Sequence, residues 1–271
     1  MTTVGIFDSG VGGLTVAAAL HRLLPALPIR YLADSAFFPY GERPPQEVEA
    51  RSAALTQQLI AEGCDLVVVA CNTASSAALE RLRAQFTIPI VGMEPPLKPA
   101  AERTRSGRVA VLVTPATARG ERLARLQLAY AGGADIVIVP TPGLADLVES
   151  GEVTGERVEQ ALQRALHSAD GDGGPAIDEI ALGCTHYGFL RPVLERMLGD
   201  AVEVLDAAEP VARRVQHQLE AYHLAIPEGE EALVQCGTTG DPAVLEATIA
   251  RLRAAQADLP PMSLVRAAVS A

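Results

Sequence analysis

No run of apolar residues in the 271-residue chain approaches the eighteen or so that a membrane-spanning helix needs. The sequence opens MTTVGIFDSG, which reads as a strand and lacks the basic and apolar segments of a signal peptide. These two absences predict a cytoplasmic protein with no membrane partner. A basic surplus is missing too. Thirty-three Asp and Glu against 22 Lys and Arg leave a net charge of −11, with no basic stripe, which excludes nucleic acid and anionic lipid as partners. Lysine occurs once, at Lys98, a bias that reflects genome composition rather than mechanism. Cysteine is sparse: Cys64, Cys71, Cys184 and Cys236 match neither a disulfide framework nor the paired spacing of a zinc ribbon, so thiols are expected. What the chain does have is apolar bulk. Hydrophobic residues make up 49%, which excludes disorder and suffices for one large domain or two of ordinary size.

The most informative stretch is Leu66 to Ala74, LVVVACNTA. Four apolar residues read as a buried strand, and the polar turn behind it opens an alanine-rich helix that Asn72 or Thr73 is expected to cap. Helix-start N–H groups would face an anion there. The same order returns at Ile177 to Tyr187, IDEIALGCTHY, with Cys184 lying 113 residues beyond Cys71, as in a degenerate internal repeat. Further strands are predicted at Val4–Phe7, Ile29–Ala33, Ile88–Gly92, Arg108–Val113, Ile136–Val139, Val202–Leu205 and Leu233–Cys236, alternating with helices. That alternation predicts an α/β fold of parallel sheets. Glu94 to Pro99 is a proline-punctuated crossover between two such series, and Gly171 to Pro175 a surface loop.

Between the strands lie two loops of interest. In Asp8-Ser9-Gly10-Val11-Gly12-Gly13 the third glycine of a dinucleotide fingerprint falls on Thr15, and no P-loop lysine follows, so the glycines are expected to admit a small ligand rather than a nucleotide. In Asp34 to Arg43, DSAFFPYGER, the two phenylalanines are expected to pack inward, and Tyr40 divides evenly between core anchor and binding residue. Cys64 and Cys236 are expected in the core, and His21, His167, His217 and His223 in solvent. A zinc site at Cys71, Cys184 and His186 lacks a second close ligand pair.

Two thiols on matching strand ends suit inversion at a carbon acid, one removing a hydrogen from one face while the other protonates the opposite face. A free thiol ionises near ~8.5, so each needs a neighbour able to take its proton. Asp8 in the first half, and Glu149 and His186 in the second, are the candidates.

The stretches FDSGVGGLTV (7–16), PYG (39–41), ACNTAS (70–75), LVESGE (147–152), LGCTHY (182–187) and TTGDP (238–242) together resemble the bacterial glutamate racemases of the cofactor-independent aspartate/glutamate racemase superfamily. The resemblance spans essentially the whole chain. It implies two pseudo-symmetric parallel-sheet α/β domains with the active site between them, residues 1–95 plus 209–271 forming one and 96–208 the other. It also implies catalytic roles for Cys71, Cys184, Asp8, Glu149 and His186, with Cys71 acting on D-glutamate and Cys184 on L-glutamate. Asp8, Ser9, Tyr40, Gly41, Asn72, Thr73, Thr117, Thr185 and His186 are the implied substrate residues. No metal and no cofactor are implied, and the product would be D-glutamate for peptidoglycan. Family members vary in oligomeric state, homodimers included. The sequence departs from the family at Phe37-Phe38, at Arg119-Gly120 and across Thr141 to Asp146, in the lid and second-domain wall. A racemase for aspartate or another acidic amino acid, and a non-catalytic amino-acid sensor on the same scaffold, are the competing readings.

Overall fold

The computed structural model describes residues 2–170 and 174–265, so positions 171–173 of the expected Gly171–Pro175 loop lie outside the described residues. The first half runs β1 (Val4–Asp8), α1 (Leu14–Leu23), β2 (Ile29–Ala33), α2 (Pro45–Ala61), β3 (Leu66–Val69), α3 (Asn72–Gln85), β4 (Ile90–Gly92) and α4 (Leu97–Arg103). The second comprises β5 (Arg108–Val113), α5 (Pro115–Arg119), α6 (Glu121–Tyr130), β6 (Asp135–Pro140), α7 (Leu144–Glu149), α8 (Glu156–Asp170), β7 (Glu179–Leu182), α9 (Arg191–Leu198) and β8 (Glu203–Leu205). The chain then adds α10 (Ala208–Ala221), β9 (Val234–Thr238), α11 (Pro242–Ala254) and β10 (Met262–Leu264).

The described residues form two sheets, ordered β10-β9-β2-β1-β3-β4 and β6-β5-β7-β8, with every pairing among them parallel. Strands β1, β3, β5 and β7 are buried along their whole length, as the unbroken apolar runs of a two-sided parallel sheet require. The order β2-β1-β3-β4 is repeated by β6-β5-β7-β8, which gives the internal repeat a structural basis: Cys71 follows β3 and Cys184 follows β7 at equivalent points. In each half the chain leaves the first strand to one side and returns on the other. The carboxyl ends of β1/β3 and of β5/β7 are therefore topological switch points, where α/β sheets open a crevice.

Several elements differ from expectation. The Glu94–Pro99 crossover already contains the start of α4. Pro99 is tolerated because it sits in the first turn, where its missing N–H has no intrahelical partner. The second cysteine leads into a 3-10 turn, Thr185–Leu190, before α9 begins. The helix after Cys71 is capped by the backbone of Cys71 itself, so Asn72 and Thr73 are its first two residues rather than its caps. Strand β10 was not anticipated: three residues of mixed polarity at a sheet edge carry no periodicity to read. His21, expected in solvent, is buried and its Nε2 lies 2.6 Å from Glu231 Oε1. Among the described residues no helix is long and apolar enough to cross a membrane.

Candidate active site

Strand β1 ends in Asp8, which is wholly buried at the switch point. Its Oδ2 accepts the Gly13 N–H at 2.8 Å, its Oδ1 lies 3.4 Å from Ser9 Oγ, and Ser9 Oγ lies 4.0 Å from Cys71 Sγ. Burial pushes the Asp8 carboxyl up, against the pull of the nearby His186 charge and of the Gly13 and Ser9 N–H groups. Burial also pushes the Cys71 thiol well up, and the Asp8 charge adds to this, while the Ala74 N–H at the start of α3 acts in the opposite sense. In the resting protein Cys71 is therefore a thiol, and thus a proton donor.

The second half is built differently. Cys184 Sγ lies 3.8 Å from His186 Nδ1, and His186 Nε2 lies 3.0 Å from Glu149 Oε2 at the end of α7. Burial lowers the His186 pKa, but hydrogen bonds to Cys184 and Glu149 outweigh it and hold the imidazole well above its ordinary value. The result is a carboxylate–imidazole–thiol relay. Glu149 also accepts the Val11 N–H at 2.8 Å and sits 3.4 Å from Ser35 Oγ, so it reaches across to the first half.

The glycines of the first loop acquire a different meaning here. A Cβ on Gly10 would lie 2.1 Å from Glu149 Oε2, and one on Gly12 would lie 2.4 Å from His186 Nδ1 and 2.7 Å from the His186 backbone nitrogen. These glycines make room for the Glu149 and His186 side chains of the opposite half, not for a ligand. The expectation was wrong because the partner that needs the space is 139 or more residues away in sequence, as Gly10 and Glu149 show.

Both thiols line one cavity. Its first-half wall is Ser9, Phe38 to Glu42 and Cys71 to Thr73; its second-half wall is Thr114, Pro115, Thr141 to Gly143, Ala145, Asp146 and Cys184 to Tyr187. Among the described residues no arginine or lysine lines it. Neutral donors are plentiful. Asn72 is 5% exposed, and neither its amide nitrogen nor its oxygen has a partner, which leaves a full set of hydrogen-bonding groups at the start of α3. Thr185 and Ser9 are buried beside it.

Not every expected residue reaches the cavity. Asp8 lies beneath it and Glu149 behind His186, so each meets the cavity only through a neighbour. Thr117 is also one layer back; its hydroxyl lies 3.3 Å from Thr73 and accepts a bond from Thr114 at 3.0 Å, while Thr73 and Thr114 form the wall. Tyr40 serves both roles considered for it, being 1% exposed and part of the wall. Of the two phenylalanines, Phe37 packs edge-on to Tyr40, whereas Phe38 lines the cavity with its ring 5.7 Å from the His186 ring. Thr114 and Tyr187 are among the wall residues that were not anticipated, whereas Thr141 lies in the wall segment that was. Thr114 carried a signal, since a threonine before proline at a strand end marks a helix cap. Thr141 and Tyr187 meet through hydroxyls 2.5 Å apart, a contact between separate motifs that spacing does not reveal. Cys64 and Cys236 lie in the cores, their thiols pushed up to about 12 by burial.

Among the described residues no cluster of three or more His, Cys, Asp or Glu side chains has the arrangement of a metal site. The sequence profile of the Asp/Glu/Hydantoin racemase family matches residues 12–215. A glutamate racemase of Roseiflexus sp. (strain RS-1) is 46% identical over 241 residues, covering 88% of each chain. Among solved structures, the glutamate racemase of Bacillus anthracis superposes with a TM-score of 0.83 at 28% identity, covering 98% of this chain and 97% of that one. That of Escherichia coli, in complex with L-glutamate and the activator UDP-MurNAc-Ala, gives 0.82 at 29% identity over the whole of both chains. With a profile match across most of its length and a racemase architecture in both halves, the chain belongs to the Asp/Glu/Hydantoin racemase family, a family of isomerases.

Proposed function

We propose that this protein interconverts L- and D-glutamate by two-base proton transfer between Cys71 and Cys184, with residues 1–95 plus 209–271 as one domain and 96–208 as the other. The observation that carries the reading is one cavity lined by a thiol from each half, each thiol backed by its own acid/base group. Cys184, after passing its proton to the His186–Glu149 relay, takes the α-hydrogen from one face of the substrate. Cys71 delivers its thiol proton to the other face and becomes a thiolate, stabilised by the Ala74 N–H. In the reverse direction the roles exchange, and Asp8 receives the Cys71 proton by way of Ser9. Distances of 3.8 and 4.0 Å to the sulfurs suit a site that tightens when substrate enters.

The substrate's carboxylates are held by Asn72, Thr73, Thr185 and Ser9 and by the first N–H groups of α3, not by an arginine clamp. No metal or cofactor is invoked, since Asp8, His186 and Glu149 carry the protons that the two thiols exchange. In keeping with the resemblance of the motifs, Cys184 works on L-glutamate and Cys71 on D-glutamate, and the D-glutamate feeds peptidoglycan. The resting thiol at Cys71 then poises the free enzyme for the L isomer.

Purified protein is incubated with L-glutamate and, separately, with L-aspartate, and optical rotation is followed without added cofactor. Loss of rotation with glutamate, faster than with aspartate, supports the proposal. Faster loss with aspartate replaces it with an aspartate racemase, and no change with either leaves a binding protein.

A further inference from the structure

The segment TTGDP (238–242) contributes nothing to the cavity wall, yet it lies beside the loop that does. Between them is Asp34, wholly buried at the end of β2. Its carboxylate gathers three distant parts of the chain. Oδ2 accepts the Tyr40 hydroxyl at 2.6 Å and Arg51 Nε at 2.9 Å. Oδ1 accepts Arg51 Nη2 at 2.6 Å and the Thr239 hydroxyl at 2.7 Å. Thr239 Oγ1 in turn accepts the Ala36 N–H at 3.2 Å, so it grips the loop at both ends of its first turn. Gly240 lets this happen: a Cβ there would come within 3.1 Å of Ser35 Cβ. Asp241 then caps α11 through the Ala243 N–H.

We propose that Asp34, Arg51 and Thr239 are positioning residues for the substrate, holding Phe38 to Glu42 as a fixed wall of the cavity. Four charge-assisted hydrogen bonds on one carboxylate leave it no spare acceptor, so each partner's geometry constrains the others. Tyr40 transmits the constraint, because its ring is in the wall while its hydroxyl is on Asp34. Burial and the Asp34 charge push the Tyr40 phenol well up, so it remains a donor throughout the working range. The same turn carries Ser35, whose hydroxyl lies 3.4 Å from Glu149 Oε1, while Glu149 keeps its shorter bonds to Val11 and His186. Loosening the wall weakens substrate and transition state alike, since both bases stand on other elements, and such a loss is read in KM rather than kcat.

Thr239 is the place to test this, because removing Asp34 or Arg51 would strand a buried charge and unfold the loop. The inference rests on the cavity being the substrate site, so one arm does not need turnover. Thr239→Val keeps the shape and removes the hydroxyl; Thr239→Ser keeps the hydroxyl. The expected result is a KM for glutamate raised roughly fivefold to tenfold in Thr239→Val with kcat within about twofold, and wild-type values in Thr239→Ser. Amide exchange over residues 35–43 is expected to quicken in Thr239→Val only. An unchanged KM, a fall in kcat alone, equal behaviour of the two variants, or unchanged exchange in that segment would each overturn the proposal. If wild-type protein does not turn over glutamate, the proposed function fails, and the exchange arm still decides this one.

Discussion

Replacing Glu149 with glutamine removes one charge from the relay while keeping its size. Glu149 Oε2 accepts two hydrogen bonds, from Val11 N at 2.8 Å and from His186 Nε2 at 3.0 Å. The glutamine carbonyl oxygen can take the place of Oε2 and accept both bonds, but neither is any longer charge-assisted. A charge-assisted bond of this kind contributes about 1.5–3 kcal/mol, which corresponds to a rate loss of roughly ten- to a hundredfold. The pH dependence has a definite sign. The His186 pKa is raised in the fold, so its bond to Glu149 contributes stability fully below ~6.5, and this is lost as pH rises through the higher folded value. Glu149→Gln lowers that value, and the alkaline limb of the rate profile shifts down in pH.

With glutamate itself both directions must slow equally, because the equilibrium constant between enantiomers is one. The asymmetry is visible with a glutamate analogue carrying a leaving group on its β-carbon, where only one deprotonation is needed. Elimination from the L analogue, served by Cys184, slows by the full factor, while the D analogue, served by Cys71, is largely spared. Equal losses on both enantiomers in a folded variant, or a loss below about threefold, would refute the relay and leave Glu149 as a structural latch between the halves.

Cys71→Ser and Cys184→Ser are each expected to abolish racemisation by more than the ~10²–10⁴-fold of a single lost acid/base group, since reprotonation fails as well. They retain elimination on opposite enantiomers of the same analogue, which a chiral assay reads. Gly12→Ala pushes a methyl group to 2.4 Å from His186 Nδ1, against backbone as well as ring, and is expected to cost tenfold or more in activity together with a lower melting temperature. Glu179, away from the site, is buried at the start of β7 with Glu203 and Asp178 nearby, and burial raises its carboxyl to about 7. The fold favours its neutral form, so this stability is full below ~4.5 and lost as pH rises through about 7, a change of up to about 3 kcal/mol. Glu179→Gln should flatten that pH dependence in thermal melts between pH 4 and 8.

Much of this was legible in the sequence, and the part that was not has a common physical reason. Strands such as Leu66–Val69 and the Val109 to Val113 stretch of β5 declared themselves because a strand buried on both faces must be apolar along its run. Cys71 and Cys184 stood out because polar residues abruptly follow such strands. The burial of His21 by Glu231, the support of Tyr40 by Asp34 and Thr239, and the use of Gly10 and Gly12 by the opposite half were hidden. Each depends on residues far apart in sequence, and neither periodicity nor spacing encodes which switch point will face which. The edge strand β10 was missed for a local reason, being too short to show a pattern.

The most direct measurement of the two-base claim is the fate of the α-hydrogen when L-glutamate is racemised in deuterated water and stopped early. Two opposed thiols predict D-glutamate carrying deuterium, while the L-glutamate not yet converted keeps its protium. Protium retained in the D product, or deuterium entering recovered L-glutamate as fast as the product forms, would mean that a single base serves both faces, and would contradict the account.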